Sequence, residues 1–388
     1  MSTTIKHNNF AFLLFDEMSL RTGLYFHQPS VTIYGFEDDG KARSANLVSS
    51  VLCVMAVGVV RKWKYPLGFY LTSKTMKSEF ICTIVSTAIK AMESEGFQVL
   101  GVTSDQGPNF EKTFRLMGAS EDSPKIKVNE KSYFVFRDPP HLIRSARNYL
   151  LNGDVKIPGS ELFAKWSHLK KLYSIDCKNS FKLAPKLTEN HVCDLKRSSK
   201  MKVKLASQSL SHSVSSALCF LVSNNSIESS AVGTSEYCKK FNDLFDAMNS
   251  SSSSDSVPLR RPLSTLSPSV EFLNESLSWL RELEKDNSNR RCHFIRGFRQ
   301  NITVLLELNQ TLNSLGIPYL SSRNLCQDPL ENFFGKIRQL TKFPDSYAFS
   351  NNYSKIASGS LVAAPLTGNC EAVQEDDHMA HLLNYVSI

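Results

Sequence analysis

The sequence predicts an α/β protein in which a mixed sheet carries helices on its faces and a long helical region follows. Three observations predict it. Three β-rich segments come first, strands and helices then alternate, and beyond about residue 151 helical periodicity replaces the strand signal.

The first strand is the apolar run FAFLLF (10–15), ending at Asp16-Glu17. Two β-rich segments follow, around 23–36 and 50–72, and the second is valine-rich enough to lie centrally in a sheet. Over 78–95, Phe80, Ile81, Ile84, Val85, Ala88, Ile89 and Met92 share one helical face. The strand FQVLGVTSD then runs into Asp105. A short helix (110–117), the strand SYFVFRD ending at Asp138 and a helix from His141 to Leu151 complete this part.

From 158 to 320 the spacing is helical. Tyr237, Phe241, Leu244, Phe245 and Met248 form one stripe, and Phe294, Ile295, Phe298, Ile302, Leu305 and Leu306 another. The Ser/Pro-rich stretch 249–269 reads as a flexible loop within this region. In QDPLENFFGKIR (327–338), Asp328 is expected as N-cap, Pro329 as the first helical residue and Glu331 at N3. Leu330, Phe333, Phe334 and Ile337 form the apolar stripe. After about 345 the pattern weakens, and 346–388 reads as a weakly ordered tail.

The 388 residues carry a formal charge of +8, which favours an anionic partner, nucleic acid above all. Nine cysteines form no C-x-x-C pair and show no zinc spacing with histidine, as expected of reduced thiols in an intracellular protein. MSTTIKHNNF lacks the apolar core of a signal peptide. The longest apolar run, Val51 to Val60, is too short for a membrane span and is followed by Arg61, Lys62 and Lys64.

Two acids share an unusual setting, since Asp16 and Asp105 each end a buried strand. Such carboxylates are ionised at neutral pH unless buried unpaired, and two at adjacent strand ends repel unless a cation lies between. Magnesium suits that place, because it prefers oxygen ligands and leaves room for water and phosphate oxygens. For each acid alone, a turn or N-cap bond is the simpler role. Asp138 and His141 in RDPPHLIR are read as a strand stop and helix start, with Arg144 and Arg147 available to phosphates. The basic cluster 195–204 is either a nuclear-import or DNA patch or a solvated helix face. Arg338 reaches either DNA phosphate or the end of its own helix.

The segments LLFDEMSLRTGLYF with YGFEDDG, VTSDQGPNF, FVFRDPPHLIRSARNYL, KMKVKLASQSLSHSV, FNDLFDAMNS and DPLENFFGKIR occur in the order found in the P-element transposase family, which includes the THAP-domain transposase-like proteins. The resemblance covers roughly residues 10–340. It implies a ribonuclease H-like catalytic domain whose acidic triad holds two magnesium ions (manganese being the alternative), interrupted by a helical GTP-binding domain. Asp16, Asp105 and Glu331 match the catalytic, metal-holding acids. Asp246 matches the acid that accepts from guanine N1 and N2, with Asn249 one turn later. Lys202, Val203 and Ser211 match nucleotide-contacting positions, and Lys186 is a further one. Asp328 matches an acid near the nucleotide and its magnesium. No G-x-x-x-x-G-K-[ST] loop or N-K-x-D motif marks a nucleotide site independently.

The implied organisation is 10–151 and 323–345 for the catalytic domain, 152–322 for the insertion and 346–388 for the tail. The implied activity is magnesium-dependent DNA cleavage and strand transfer, in the nucleus, with GTP as a positioning cofactor. The partners are DNA and further copies of the chain when on DNA, with no membrane. Family members carry an N-terminal zinc-coordinating THAP domain. Only fifteen residues precede Asp16 here and no zinc-ligand pattern exists, so transposon ends are an expected partner only where a recognition module is supplied. The alternative function is a noncatalytic GTP- and DNA-binding remnant kept by a host as an interaction module.

Overall fold

The computed structural model describes residues 9–38, 43–74, 76–193 and 197–362. The sequence-predicted tail beyond 362, Asp39-Gly40 of YGFEDDG and Leu195-Lys196 of the basic cluster lie outside them. Two compact units divide the chain, 1–136 with 324–388, and 137–323.

In chain order the first unit opens with β1 (Phe10–Ser19), β2 (Tyr25–His27), β3 (Thr32–Tyr34), β4 (Phe36–Asp38), β5 (Arg43–Leu47), β6 (Ser50–Gly58) and β7 (Lys64–Thr72). Helix α1 (Ser78–Ser94), β8 (Gln98–Ser104), α2 (Pro108–Leu116), β9 (Lys125–Val128) and β10 (Lys131–Arg137) follow. Eight strands form one sheet in the order β5-β4-β7-β6-β1-β8-β10-β9. It is mixed, because β1 pairs antiparallel with β6 and parallel with β8. The segment 23–36 departs from the simple expectation: β2 and β3 form a separate two-stranded sheet, with only β4 joining the main one.

β1 and β6 are central because their sequences are apolar on both faces. Ala11, Leu13 and Phe15 of β1 meet Leu52, Val54 and Ala56 of β6 in a core closed by Ile81, Ile84, Val85, Ile89 and Met92 of α1, five of the residues that the helical spacing picked out. Gly101 of β8 fits a tight crossing. A Cβ there would stand 2.5 Å from the Phe12 ring and 2.5 Å from the Phe134 carbonyl oxygen.

The second unit contains α3 (Pro139–Leu151), β11 (Val155–Lys156), β12 (Phe163–Ala164), α4 (Trp166–Asp176), α5 (Glu189–Val192), α6 (Arg197–Met201), α7 (Val203–Ser209), α8 (His212–Ser223), α9 (Ala231–Ala247), α10 (Pro268–Asp286) and α11 (His293–Ser314). It is almost wholly helical, apart from the short antiparallel pair β11–β12. Helix α3, placed by the sequence reading at the end of the first domain, clusters with this unit. The two predicted stripes meet in its core, where Phe241 packs on Tyr237, Phe294 and Phe298 with ring centroids 4.6, 5.7 and 5.4 Å away. The buried Tyr237 hydroxyl donates to the Ala146 carbonyl at 2.9 Å, tying α9 to α3.

Helices α12 (Asp328–Leu340) and α13 (Ser346–Val362) return to the first unit. Helix α13 corrects the expectation of a weakly ordered tail from 346. Phe349 is fully buried and Tyr353 nearly so, and both rings pack on Phe69 of β7, at 5.2 and 4.8 Å between centroids. The segment SYAFSNNYSKIASGS is too polar for a clear helical stripe, so two aromatic anchors supply what periodicity does not.

Every cysteine among the described residues is a free thiol. No helix among them is long and apolar enough to cross a membrane. Phe349→Ala is expected to destabilise the sheet unit by about 3–5 kcal/mol, read as a lowered urea midpoint. A loosely attached tail would leave the midpoint unmoved.

Candidate functional site

Asp105 directly follows β8, as expected, whereas Asp16 lies within β1, which continues to Ser19. Leu14 of β1 is in register with Thr103 of β8, so two residues further along these parallel strands come Asp16 and Asp105. Asp16 also stands opposite Cys53 of β6. Each carboxylate makes the local bond expected of a strand-end acid. Asp16 Oδ1 accepts from the Glu17 amide at 2.8 Å, and Asp105 Oδ1 accepts from the Gly107 amide at 2.8 Å. These bonds help to fix how the carboxylates point. Glu17 was not singled out from the sequence. It is partly buried, and burial first and the Asp105 charge second push its carboxyl above the ordinary range. Negative charge therefore concentrates at this end of the sheet.

Glu331 enters on α12, which packs against β1 and β6. The helix begins one residue earlier than predicted: Gln327 is the N-cap, Asp328 is the first helical residue, and both Asp328 and Glu331 lie in the first turn. The cap is chosen by burial. Gln327 is completely enclosed, and its Nε2 donates to the Phe15 carbonyl at 2.6 Å, one residue before Asp16. Its own carbonyl accepts from the Leu330 and Glu331 amides at 2.9 and 3.0 Å. A second tie runs from Thr103 Oγ1 to the Leu325 carbonyl at 2.7 Å, two residues before Asp105. The start of the Glu331 helix is thus bonded to both strands that carry the other acids. Gly335, one turn further on, has open space where a Cβ would stand.

Asp138 is the N-cap of α3 with proline in the first turn, as expected, and its carboxylate makes no capping bond to the helix. His141 Nε2 lies 4.0 Å from Asp138 Oδ2. Arg147 is fully buried and acts structurally, donating to the Ser199 and Lys200 carbonyls at 3.4 and 3.0 Å at the end of α6. Burial, with Arg144 nearby, lowers its pKa to about 10.

In the helical unit KMKVKLASQSLSHSV is not the single helix its pattern suggests. The chain leaves helical geometry at Lys202 (φ −78°, ψ 114°) and again at Leu210 and Ser211, so Lys202 and Ser211 become the N-caps of α7 and α8. Ser211 Oγ accepts from the Val214 amide at 3.3 Å, while Lys202 makes no side-chain cap bond. Asp246 lies in the last turn of α9, and the Asn249 amide donates to its carbonyl at 3.2 Å.

Asn242 links these groups and was missed from the sequence. Its Nδ2 donates to Asp246 Oδ2 at 3.1 Å and to Asp243 Oδ1 at 3.2 Å, and its Oδ1 accepts from the His212 amide at 3.2 Å, next to Ser211. Its spacing one turn before Asp246 is the only sequence signal it had. Arg260 Nε donates to Asp246 Oδ1 at 3.0 Å, so the Ser/Pro-rich segment, expected as a flexible loop, supplies a specific partner. Burial pushes the Asp246 carboxyl up, against the pull of Arg260 and Asn242, while Asp246 in turn raises the Arg260 pKa. Ser211, Asp246 and Asn249 are thereby brought into one connected region. Lys202 and Val203 stand at the α6–α7 junction, Lys186 is exposed, and Asp328 belongs to the sheet unit.

The architecture is a ribonuclease H-like mixed sheet carrying a helical insertion, the class to which DNA-processing enzymes of the transposase type belong. Residues 1–118 match the TNP-like RNase H N-terminal domain, and residues 140–258 match the TNP-like GTP-binding insertion domain. The Transposable element P transposase of Drosophila melanogaster is 25% identical over 334 residues, covering 84% of this chain and 42% of that protein. The human DNA transposase THAP9 is 27% identical over 372 residues, covering 88% of this chain and 40% of its own length. A chain of the Drosophila P element transposase strand transfer complex shares the fold, with a TM-score of 0.79 at 24% identity, covering 91% of this chain and 77% of that one. The chain belongs to the P-element transposase-like family. It spans about two fifths of the length of these curated relatives.

Gln327→Ala is expected to cost about 1–3 kcal/mol by leaving the buried Phe15 carbonyl without its donor, measured by urea denaturation. A change within about 0.5 kcal/mol would mean that this bond does not hold α12 to β1.

Proposed function

We propose that the chain is the catalytic part of a P-element-type DNA transposase that cleaves and joins DNA with divalent metal ions, using GTP as a positioning cofactor. The observation that supports this reading is the placing of Asp16 on β1 and Asp105 just past the neighbouring β8, with hydrogen bonds from both strands to the segment that leads into the Glu331 helix.

The donor set suits the metal. Three carboxylates offer the hard oxygen ligands that magnesium and manganese prefer. The Glu17 carboxyl is raised first by burial and second by the Asp105 charge. Asp16, Asp105 and Glu331 would hold two magnesium ions, with manganese as the alternative. When bound, these ions supply charge stabilisation for an in-line displacement at phosphorus. The chain's own part is orientation: β1 and β8 set the spacing of two acids, and Gln327 sets where α12, which carries Glu331, begins. In cleavage a water oxygen forms the new bond to phosphorus as the bridging P–O bond breaks. In joining, a 3′-hydroxyl takes the place of water.

Asp246 would accept from guanine N1–H and N2–H, with Asn242 steadying the carboxylate. Asn249, Lys202, Val203 and Ser211 complete the contacts around the nucleotide. Lys186 is a further contact. The positive balance of the chain suits the phosphate backbone of DNA. Assembly of several copies on DNA and action in the nucleus complete the proposal.

Purified protein with magnesium or manganese is expected to nick supercoiled plasmid DNA, and Asp16→Asn or Glu331→Gln to reduce nicking to background without altering the circular dichroism spectrum. Nicking that survives both substitutions would remove these acids from the site. Asp246→Asn is expected to weaken GTP binding by about tenfold or more, as the loss of a charged acceptor implies. An unchanged dissociation constant in a fluorescent-nucleotide titration would exclude Asp246.

A further inference from the structure

Arg260 already makes, from within the chain, the kind of bond that the base of a guanine nucleotide would make to Asp246. Both oxygens of this nearly buried carboxylate are engaged, Oδ1 by Arg260 Nε at 3.0 Å and Oδ2 by Asn242 Nδ2 at 3.1 Å. A guanidinium and the donor edge of guanine are chemically alike: each presents adjacent N–H groups in one plane to the lone pairs of a carboxylate. The Arg260 side chain and the base therefore compete for the same oxygen.

The two partners of Asp246 are not equally fixed. Asn242 sits on the same helix one turn earlier, and its carboxamide oxygen is held by the His212 amide at 3.2 Å. Arg260 comes from a short 3₁₀ turn (Pro258–Arg260) in the Ser/Pro-rich segment, and 46% of its side chain is exposed, against 11% for Asp246. Its backbone is anchored, since the Arg260 carbonyl accepts from the Ser251 amide at 3.1 Å, so only the side chain needs to move. Swinging out returns the guanidinium to water at little penalty. Asp246 cannot follow, and without Arg260 its carboxylate would keep one hydrogen bond in a mostly enclosed place. Release of Arg260 is favourable only when another pair of donors replaces it.

We propose that Arg260 is an intramolecular stand-in for guanine, compensating Asp246 while the base site is empty and leaving it when a guanine nucleotide binds. This rests on Asp246 being the base acceptor. The exchange lowers the affinity of the chain for guanine nucleotides, because each binding event first breaks an ion pair. It also favours ligands that restore two donors to Asp246, which adenine, with an acceptor at N1, does not.

The test is titration of the full chain with a fluorescent GTP analogue, comparing the unaltered protein with Arg260→Met, Arg260→Lys and Asp246→Asn. Arg260→Met is expected to bind about fivefold or more tightly, and to melt at a lower temperature without nucleotide. Arg260→Lys keeps the charge without the planar fork and is expected to fall between, which keeps the test decisive should the methionine variant fold poorly. If neither Arg260 variant binds more tightly while Asp246→Asn still weakens binding, the stand-in is wrong and the base acceptor stands. If Asp246→Asn leaves affinity unchanged, the base-acceptor reading falls and takes the stand-in with it.

Discussion

The position of β1 between β6 and β8 is the constraint on which the rest of this molecule depends. A strand enclosed on both faces and paired on both edges has no freedom of register, because a one-residue slip would exchange the whole of one packed face for the other. The Leu14–Thr103 register therefore determines which residues emerge side by side where the strands leave the core. Two aspartates emerge there. The rigidity of the packed strands keeps their spacing constant.

The chain leaves this sheet for a long helical excursion and returns to it with α12. A return of that length needs anchors, and the anchors found are polar. The Gln327 amide on the Phe15 carbonyl and the Thr103 hydroxyl on the Leu325 carbonyl are buried bonds, worth more in an enclosed setting than at the surface. They act directly beside the two aspartates, so the fidelity of the return and the geometry of the acids rest on the same hydrogen bonds. Helix α13 then closes the face on Phe69, with Tyr353 also packed against Phe333 of α12 at 5.3 Å.

The helical unit follows a different logic. Its aromatic core around Phe241 holds α9 firmly, and α9 carries the polar row Lys239, Asn242, Asp243 and Asp246 along one side. Asn242 joins that row to the start of α8. Helix faces thus present the polar groups, while the Ser/Pro-rich segment contributes Arg260.

Local pattern alone determined β1, β6, α1, β8 and the stripes of α9 and α11, because their apolar spacing is written residue by residue and burial follows it. It also placed Asp105 at the end of a buried strand, but it ended β1 at Asp16 where the strand runs on to Ser19 through its pairing with β6. Glu331, by contrast, looked like any first-turn glutamate, and family resemblance was needed to single it out. Tertiary structure decided what depends on partners far away in the chain. Gln327 caps α12 because Phe15, 312 positions distant, offers a buried carbonyl. The tail becomes α13 because Phe69 accepts Phe349 and Tyr353. KMKVKLASQSLSHSV breaks at Lys202 and Leu210, although its periodicity suggests one helix. Arg260 finds Asp246 because the loop between them is closed by the Ser251–Arg260 bond. Periodicity records which face of an element is buried, but hydrogen-bond partners and ion pairs across long separations are chosen only when the whole chain has folded.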